Sequence, residues 1–346
     1  MTQSLKNQKV LMALSGGVDS SVTAMLLKKQ GYQVAGVFFD LDQKNSKEAL
    51  KNVKKLVREL KINLKIISLK KEFKKEIIKY FLDSFKMGET PNPCVICNKK
   101  IKFENLLKLA DKMKFDYFTT GHYVKKIEGR KWKVVIAKDL NKDQSYFLYR
   151  LNQKILKRAL FPLGDYTKEE VRKMADKWEL PYLKKESQDI CFLSGDHNKY
   201  LRNNLKRVKP GKIIDNQGKI YGNHCGLPFY TIGQRIDTGG LPVPYYVVGK
   251  NLRKNLLIVA SLFEEKKYWK KEVKIKNVNW IAGHKPDLEK NYKARIRYRQ
   301  GLQSCKLRVT RHGLLVTFMK PQRAVTPGQS LVIYRGKELI GGGIII

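Results

Sequence analysis

The stretch Ser15-Gly16-Gly17-Val18-Asp19-Ser20 decides the fold class of the N-terminal half of the chain. The apolar run Val10–Leu14 precedes it, and the apolar-periodic segment Val22–Leu27 follows it. This order predicts a buried strand, a glycine turn and a helix. Such a junction directs free backbone N–H groups and a helix N-terminus at one point, which suits a phosphate. The alternative interpretation is a tight strand–helix turn with a serine N-cap.

Asp19 is unusual beside a phosphate, but it fits a ligand of a Mg²⁺ ion that bridges phosphate oxygens. The turn contains neither G-x-x-x-x-G-K-[ST] nor G-x-G-x-x-G, which excludes two better-known phosphate loops. It resembles the SGGxDS loop of the PP-loop ATP pyrophosphatases. These enzymes bind ATP, release pyrophosphate and leave AMP on a substrate oxygen. The resemblance therefore implies that a carbonyl or carboxyl oxygen is activated by adenylation.

Strand and helix patterns alternate through the first part of the chain. This alternation predicts an α/β fold with a doubly wound parallel sheet, whose ligands bind at the carboxyl ends of the strands. A hairpin with a turn at Glu128-Gly129 is expected within residues 123–138. The further predicted strands are Val34–Phe39, Leu64–Leu69 and Asp116–Thr120, and the predicted helices are Asn45–Leu60, Phe73–Phe85, Lys99–Ala110 and a helix from the capping box Thr167/Glu170 to before Pro181.

From about Val208 the helical periodicity disappears, and Gly and Pro become frequent. We divide the chain into a PP-loop catalytic domain (1–204), a small β-rich domain (205–268) and an antiparallel β-barrel (269–346). In the predicted strand Ala294–Arg299, basic residues alternate with apolar or aromatic ones. One face of this strand would be wholly cationic and suited to an RNA backbone. The other strands expected here are 211–214, 218–221, 245–248, 273–278, 306–310, 314–318, 330–334 and, after a turn at 341–343, 344–346.

The formal net charge of +40 is the strongest compositional signal, and it implies a polyanionic partner such as nucleic acid. Acidic residues are sparse beyond residue 200, so a general lysine bias explains that part poorly. No apolar run approaches the ~18 residues of a membrane span, and the polar start lacks an apolar signal core. We expect a cytoplasmic protein. Its five cysteines favour thiol chemistry over disulfides.

Two cysteines, Cys94 and Cys97, follow the rigid segment Thr90-Pro91-Asn92-Pro93. A helix starting near Lys99 would place its N-terminus beside Cys97 and lower the pKa of that thiol. Half of a zinc site is an alternative, although a second C-x-x-C is missing. His122, after a predicted strand, and Cys191 are each either structural or part of a site.

Together these motifs are specific. The chain closely resembles the tRNA-specific 2-thiouridylases (the MnmA/TrmU family) over essentially its whole length. The motifs that carry this resemblance are Ala13–Ser20, Thr90–Pro93 with Cys97-Asn98, Thr120–Tyr123, Lys142–Leu148, Asp189–Phe192, Arg297–Gln300 and Thr326–Gln329.

The resemblance implies ATP-dependent conversion of the wobble uridine of Lys, Glu and Gln tRNAs to 2-thiouridine. It implies Cys97 as the nucleophile and Cys191 as the persulfide carrier, loaded by a cysteine desulfurase or a sulfur-relay protein. It places ATP at Ala13, Leu14, Ser15, Gly16, Gly17, Val18, Asp19, Ser20, Phe39 and Gly121, with Mg²⁺ accompanying ATP. It places the target base at Asn92, Pro93 and Cys94, and tRNA at Lys142, Asp143, Gln144, Arg297 and Tyr298, with His122 and Gln329 at selectivity positions.

Cys94 departs from the common family pattern, in which this position is often Asp. With Cys97 and Cys191 it could form a three-thiolate site for a [4Fe–4S] cluster, or it could be a tolerated small substitution. Other interpretations are a PP-loop synthetase with a small substrate and a non-catalytic RNA-binding protein. The charge and the cysteine pair count against the first, and the phosphate loop and both cysteines count against the second. We expect a monomer without membrane contact.

Overall fold

A five-stranded parallel sheet forms the N-terminal part of the molecule. A computed structural model describes residues 7–43, 45–183, 190–193, 195–236 and 243–346. The strands of this sheet are β1 (Lys9–Ala13), β2 (Gln33–Asp40), β3 (Leu64–Ser68), β4 (Tyr117–Thr119) and β7 (Ala159–Leu160). They lie in the order β3-β2-β1-β4-β7. The carboxyl ends of β2, β1 and β4 are therefore neighbours.

Helices cover both faces of this sheet. Leu11 and Val37 belong to the core on one face, and Met12 and Phe38 belong to the core on the other, as the two-residue period of a strand requires. The predicted doubly wound fold is confirmed. The helices are α1 (Val18–Lys29), α2 (Ser46–Glu59), α3 (Lys70–Phe73), α4 (Lys79–Lys86), α5 (Pro93–Cys97), α6 (Glu104–Lys112), α7 (Gln153–Arg158), α8 (Lys168–Lys177) and α9 (His197–Asn204). Helix α6 and α7 pack on the Leu11 face, and α1, α2 and α8 pack on the Met12 face.

Short helices of other types join or follow these elements. Two are π-helices, Lys74–Ile78 and Asn98–Phe103, and they make 70–86 and 93–112 continuous helical segments. Four are 3₁₀-helices: Ser145–Leu148, Pro162–Asp165, Leu227–Phe229 and Glu265–Tyr268. No helix in the described ranges combines the length and the apolar character that a membrane crossing needs.

Two β-structures follow. The central sheet has the order β10-β11-β12-β8-β9. The C-terminal strands form an antiparallel barrel in the order β13-β16-β15-β14-β17-β18, which closes through pairing of β13 with β18. The predicted small antiparallel barrel is confirmed. The bounds are β8 (Gly211–Ile214), β9 (Ile220–His224), β10 (Arg235–Ile236), β11 (Tyr245–Asn251), β12 (Leu256–Ser261), β13 (Lys270–Trp280), β14 (Tyr292–Arg295), β15 (Gln303–Thr310), β16 (Gly313–Gln322), β17 (Ser330–Arg335) and β18 (Glu338–Ile345).

The barrel and the N-terminal part share one sheet and one core. The expected hairpin consists of β5 (Lys125–Ile127) and β6 (Lys133–Val135), and β6 pairs with β18 of the barrel. Tyr146 and Tyr149, which follow the hairpin, lie in the same apolar cluster as Val332 and Tyr334 of the barrel. This shared core fixes the barrel against the catalytic half of the molecule.

Two expectations for the barrel were wrong. The strand expected at 294–299 ends at Arg295, whose side chain is buried. The wholly cationic face therefore does not form, because Arg295, one of its three arginines, is buried inside the fold. The glycines 341–343 do not form a turn. They lie within β18, where Gly341 and Gly342 pair with Trp280 and Asn279 of β13.

Candidate active site

The phosphate loop (residues 15–20) connects β1 to α1 as predicted. Gly16 adopts φ +78°, and a Cβ atom there would lie 2.7 Å from the carbonyl oxygen of Ala49. Only glycine satisfies both constraints. Gly17 is the N-cap of α1 and makes no side-chain capping bond, so the alternative of a serine N-cap is wrong. Ser20 Oγ instead donates to the carbonyl oxygen of Gly17 at 2.9 Å, which leaves the helix N-terminus open for an anion.

Asp19, in the first turn of α1, is held by two residues that sequence reasoning missed. Lys168 Nζ lies 2.7 Å from Asp19 Oδ1, and the Tyr123 hydroxyl donates to the same oxygen at 2.6 Å. The side chain of Lys168 is 8% exposed. Thr167 and Glu170 form the predicted capping box, which fixes Lys168 at the start of α8. The sequence predicted the capping box, but it could not predict the ion pair, because Lys168 and Asp19 are 149 positions apart.

Asp19 is a hard oxygen ligand of the kind that Mg²⁺ prefers, and Lys168 compensates its charge. The described residues contain no group of three or more His, Cys, Asp or Glu side chains that could hold a metal ion. Asp19 therefore fits Mg²⁺ only as one ligand of an ion that arrives with phosphate oxygens. Cys94, Cys97 and Cys191 likewise form no such group, so the iron–sulfur cluster is not confirmed.

Two further predicted ATP residues lie beside the phosphate loop. Gly121 follows β4, and a Cβ atom there would lie 3.1 Å from the backbone of Asp19 and of Ser20. The chain can pass this closely to the start of α1 because residue 121 is glycine. Phe39 lies near the carboxyl end of β2 and is half-buried against the core. Both residues thus lie at or just beyond the carboxyl ends of strands that flank β1.

The cysteines meet at the carboxyl end of β2. Cys97, 6% exposed, packs in an apolar cluster that Phe39 and Phe192 also contact. Cys191, the neighbour of Phe192, is exposed, and Gln43 Nε2 donates to its sulfur at 2.9 Å. Gln43 comes just after β2. Cys97 in α5 and Cys191 in its loop therefore lie beside the carboxyl end of β2, the strand next to β1 and the phosphate loop, although Asp189 of the Cys191 motif lies outside the described residues.

Burial raises the pKa of all three thiols. It raises the pKa of Cys97 to about 12 and that of Cys94 to about 11. The pKa of Cys191 is raised as well, because the surrounding atoms partly desolvate its thiol although the residue is exposed to solvent. The expectation of a lowered pKa at Cys97 was wrong. The helix begins at Pro93 and not at Lys99, so Cys97 lies inside a helical segment and not at its N-terminus.

The segment before these cysteines is held by the other two parts of the chain. The backbone N–H of Thr90 donates to the Pro327 carbonyl at 2.8 Å, and Gln329 Nε2 donates to the Thr90 carbonyl at 3.0 Å. Thr231 of the central part lies 3.2 Å away, hydroxyl to hydroxyl. Lys250 Nζ donates to the Gly88 carbonyl at 3.0 Å. The predicted selectivity residue Gln329 thus anchors the backbone before Asn92 and Pro93.

Asp143 differs from its expected role in tRNA contact. Its carboxylate pairs with Arg295 at 2.7 Å, and the two side chains are 1% and 8% exposed. Ser145 Oγ donates to the same carboxylate at 2.7 Å, and Tyr334 contacts both Arg295 and Ser145. The Asp143 carboxylate forms a buried ion pair that joins the N-terminal part of the molecule to the barrel, so it is not available to tRNA.

The other predicted tRNA residues occupy varied positions. His122 is buried, with Nδ1 2.7 Å from the Thr120 hydroxyl, and burial lowers the pKa of His122 well below its usual value. Gln144 accepts a hydrogen bond from the Tyr123 backbone, and Lys142 is half-buried. On the barrel, Arg297 is exposed, and Tyr298 is half-buried with its ring 4.5 Å from that of Phe147. Before the cysteines, Pro93 is buried, and Asn92 is half-buried and forms a hydrogen bond with Tyr146.

Three family models match successive parts of the chain. They are the tRNA methyl transferase HUP domain (residues 8–195), the tRNA methyl transferase PRC-barrel domain (198–261) and the aminomethyltransferase beta-barrel domain (270–345). The tRNA-specific 2-thiouridylase MnmA 1 of Caldanaerobacter subterraneus subsp. tengcongensis is 42% identical, with 98% of each chain covered. The tRNA-specific 2-thiouridylase MnmA of Coxiella burnetii (strain RSA 493 / Nine Mile phase I) is 39% identical, with the same coverage. The chain belongs to the tRNA-specific 2-thiouridylase family.

Family membership spans all three parts of the molecule, because the full-length relatives are matched almost end to end. Among solved structures, an NMN synthetase from Francisella tularensis is 16% identical over 51% of this chain and 63% of its own, with a TM-score of 0.33. The family models carry the words methyl transferase, whereas the full-length relatives are 2-thiouridylases. A phosphate loop near two free cysteines fits the activity of a 2-thiouridylase, which needs both ATP and sulfur.

Proposed function

We propose that this protein thiolates the wobble uridine of tRNA at C2, with ATP as the activating substrate and a persulfide on Cys191 as the sulfur source. The observation that carries the proposal is that the phosphate loop follows β1 while Cys97 and Cys191 lie beside the end of the adjacent strand β2. An activating site and a sulfur site are the two things that replacement of a carbonyl oxygen by sulfur requires.

Activation precedes sulfur transfer because amide resonance makes the uracil C2 carbonyl a poor electrophile. The C2 oxygen attacks the α-phosphorus of ATP, pyrophosphate leaves, and N3 loses its proton to solvent. The open N-terminus of α1 would hold the phosphates, and Asp19, kept in place by Lys168, would be a ligand of Mg²⁺, which would neutralise pyrophosphate charge. The product of this step carries AMP on the C2 oxygen, which turns that oxygen into a leaving group.

Sulfur transfer then uses both cysteines. The terminal sulfur of the Cys191 persulfide attacks C2, the C2–O bond breaks, and AMP leaves with the oxygen. The Cys97 thiolate attacks Cys191 Sγ, and the electron pair of the broken S–S bond stays on the base sulfur, which becomes 2-thiouridine. The proton lost by Cys97 balances the one that N3 regains. A thiol reductant must then reduce the Cys97–Cys191 disulfide. In the alternative route, Cys97 first releases hydrosulfide from Cys191.

The partners follow from this chemistry. The exposed Cys191 can meet a persulfide donor, either a cysteine desulfurase or a sulfur-relay protein. The formal charge of +40 supports binding of tRNA, with Arg297 and Tyr298 on the barrel and Lys142 and Gln144 beside the hairpin as contacts. The target base must leave the anticodon stack to reach Asn92 and Pro93. Monomeric action in the cytoplasm on Lys, Glu and Gln tRNAs completes the proposal.

The proposal is tested by incubating the purified protein with ATP, Mg²⁺, a persulfide donor and unmodified tRNA. The nucleosides of the tRNA are then analysed by mass spectrometry. The wild type should form 2-thiouridine, and Cys97→Ser and Cys191→Ser should not. Cys225→Ser is the matched control, because this thiol is also exposed but belongs to the central part. Absence of 2-thiouridine with the wild type, or full activity of Cys191→Ser, contradicts the proposal. A Cys97–Cys191 disulfide after one turnover without reductant favours the first route over hydrosulfide release.

A further inference from the structure

Lys102 is the cation that faces the sulfur site, and no role has been assigned to it so far. Burial has the largest effect on the pKa of Cys94, Cys97, Cys191 and His122, and the positive charge of Lys102 opposes the rise at the three thiols and adds to the fall at His122. An ammonium group influences four separate side chains in this way only if it lies among them. These four residues belong to three separate segments of the chain, residues 94–97, residue 122 and residue 191.

The backbone explains how Lys102 reaches this position. Residues 98–103 form a π-helix, whose i→i+5 bonding winds the chain more widely than an α-helix does, so the side chain of Lys102 comes nearer to the face of Cys97, the residue that precedes the π-helix. In a regular α-helix the same two residues would point about 140° apart. Cys94, three residues before Cys97 in α5, shares that face. The π-helical turn therefore brings the amine of Lys102 towards the thiols of Cys94 and Cys97.

Within the described ranges, Lys102 forms no ion pair or hydrogen bond through its side chain, and it is half-buried. Its neighbour Lys100 is different, because Lys100 is exposed and pairs with Glu76. A half-buried ammonium group without a carboxylate partner is costly unless an anion joins it during function. The sulfur site produces such anions, since Cys97 is buried in an apolar cluster and must still act as a thiolate.

We propose that Lys102 stabilises the anionic sulfur of the transfer step, pairing with the Cys97 thiolate as it forms and with the persulfide sulfur of Cys191. This inference rests on the proposed function for the identity of the reaction. The balance of the transfer step is unchanged, because Lys102 stays protonated and supplies only its charge. The proton of Cys97 leaves to solvent, and the electron pair of the S–S bond moves to the base sulfur.

The test measures the rate of iodoacetamide alkylation of Cys97 and Cys191 between pH 6 and 10 by peptide mass mapping, in the absence of tRNA. Lys102→Met should slow alkylation at pH 8 about tenfold and shift the pH profile upward by about one unit. Lys102→Arg should retain most of the wild-type profile. Lys100→Met is the matched control on the same helical segment, and it should match the wild type because an exposed pair contributes little.

Thiolation of tRNA by the same variants completes the test. Lys102→Met should lower kcat at least tenfold with little change in the KM for ATP, and Lys102→Arg should restore much of it. A wild-type alkylation profile in Lys102→Met overturns the inference, as does an equal shift in Lys100→Met. Melting temperatures exclude simple unfolding. Failure of the wild type to thiolate tRNA would overturn the proposed function instead, whatever the alkylation profiles are, so the two failures are distinguishable.

Discussion

Replacement of Arg295 by Met separates a structural role of the Asp143–Arg295 pair from a role in tRNA contact. The pair is buried, with side chains 1% and 8% exposed, and it joins the segment after the hairpin to β14 of the barrel. Methionine keeps much of the apolar bulk of arginine but removes its charge. The Asp143 carboxylate would then be left inside the fold with Ser145 and backbone N–H groups as its partners.

Breaking a buried pair by removing one partner costs about 3–5 kcal/mol, because the remaining charge stays desolvated. At about 2–4 °C per kcal/mol for units of this size, Arg295→Met should melt about 6–20 °C below the wild type. The double variant Asp143→Asn with Arg295→Met removes both charges and should recover part of that loss. Arg297→Met, two residues further along, alters an exposed side chain that donates to the Ala324 carbonyl, so it should cost no more than about 0.5–1.5 kcal/mol.

Differential scanning fluorimetry gives the melting temperatures, and binding of fluorescent tRNA at 20 °C gives the affinities. Arg295→Met should melt at a lower temperature than the wild type but bind tRNA with the same affinity. Arg297→Met should melt close to the wild type but bind tRNA more weakly, with a reduced salt dependence of binding. A wild-type melting temperature combined with weakened tRNA binding in Arg295→Met would refute the structural interpretation and return Asp143 to the RNA interface.

Three further changes have defined outcomes. Gly16→Ala should lower the melting temperature without ATP, because it combines φ +78° with a 2.7 Å backbone clash; Gly17→Ala, with φ −88° and its nearest atom 3.6 Å away, should not, and equal effects would contradict this reasoning. Gln43→Ala should raise the pKa of Cys191 in its alkylation profile, because an N–H donor to the sulfur is lost; an unchanged profile would exclude that bond. Burial lowers the pKa of Lys250 to about 8, so the buried ammonium costs up to about 3 kcal/mol below pH 8, and this cost is relieved as pH rises towards 10.5. Lys250→Met removes this cost but also the bond to the Gly88 carbonyl, so its melting temperature relative to that of the wild type should fall from pH 7 to pH 10; a constant difference would contradict this reasoning.

The sequence predicted those parts of the fold that short-range patterns determine. The strand–turn–helix at residues 15–20, the capping box at Thr167 and the hairpin turn at Glu128 each depend on neighbours within a few residues, and each is present. The strand at 294–299 failed for a matching reason. Its alternation was correct as a pattern, but Arg295 is buried by a carboxylate 152 residues away, and no local pattern records that partner.

The site shows the same division. The types of residue that carry the chemistry were visible in the sequence, whereas the environment that sets their reactivity was not. The pKa of Cys97 was expected to fall because the predicted helix began after it, at Lys99, but Pro93 is a favourable first helical residue and starts the helix four positions before Cys97. Burial then raises the pKa that the sequence predicted to be low. Lys168 and Gln43 were missed because their contacts span 149 and 148 positions.

The attachment of the segment before Cys97 has a consequence for how substrate binding reaches the sulfur site. Gly88 and Thr90 are held by Lys250 and Thr231 of the central part and by Gln329 of the barrel. Only two residues separate Thr90 from the first turn of α5, and prolines stiffen them. A shift of either β-structure on binding tRNA would therefore move the helix that carries the thiols. The nucleophile is positioned by the parts of the molecule that the proposed function assigns to the RNA, so an unbound enzyme need not hold a reactive thiolate, in keeping with the raised pKa of Cys97.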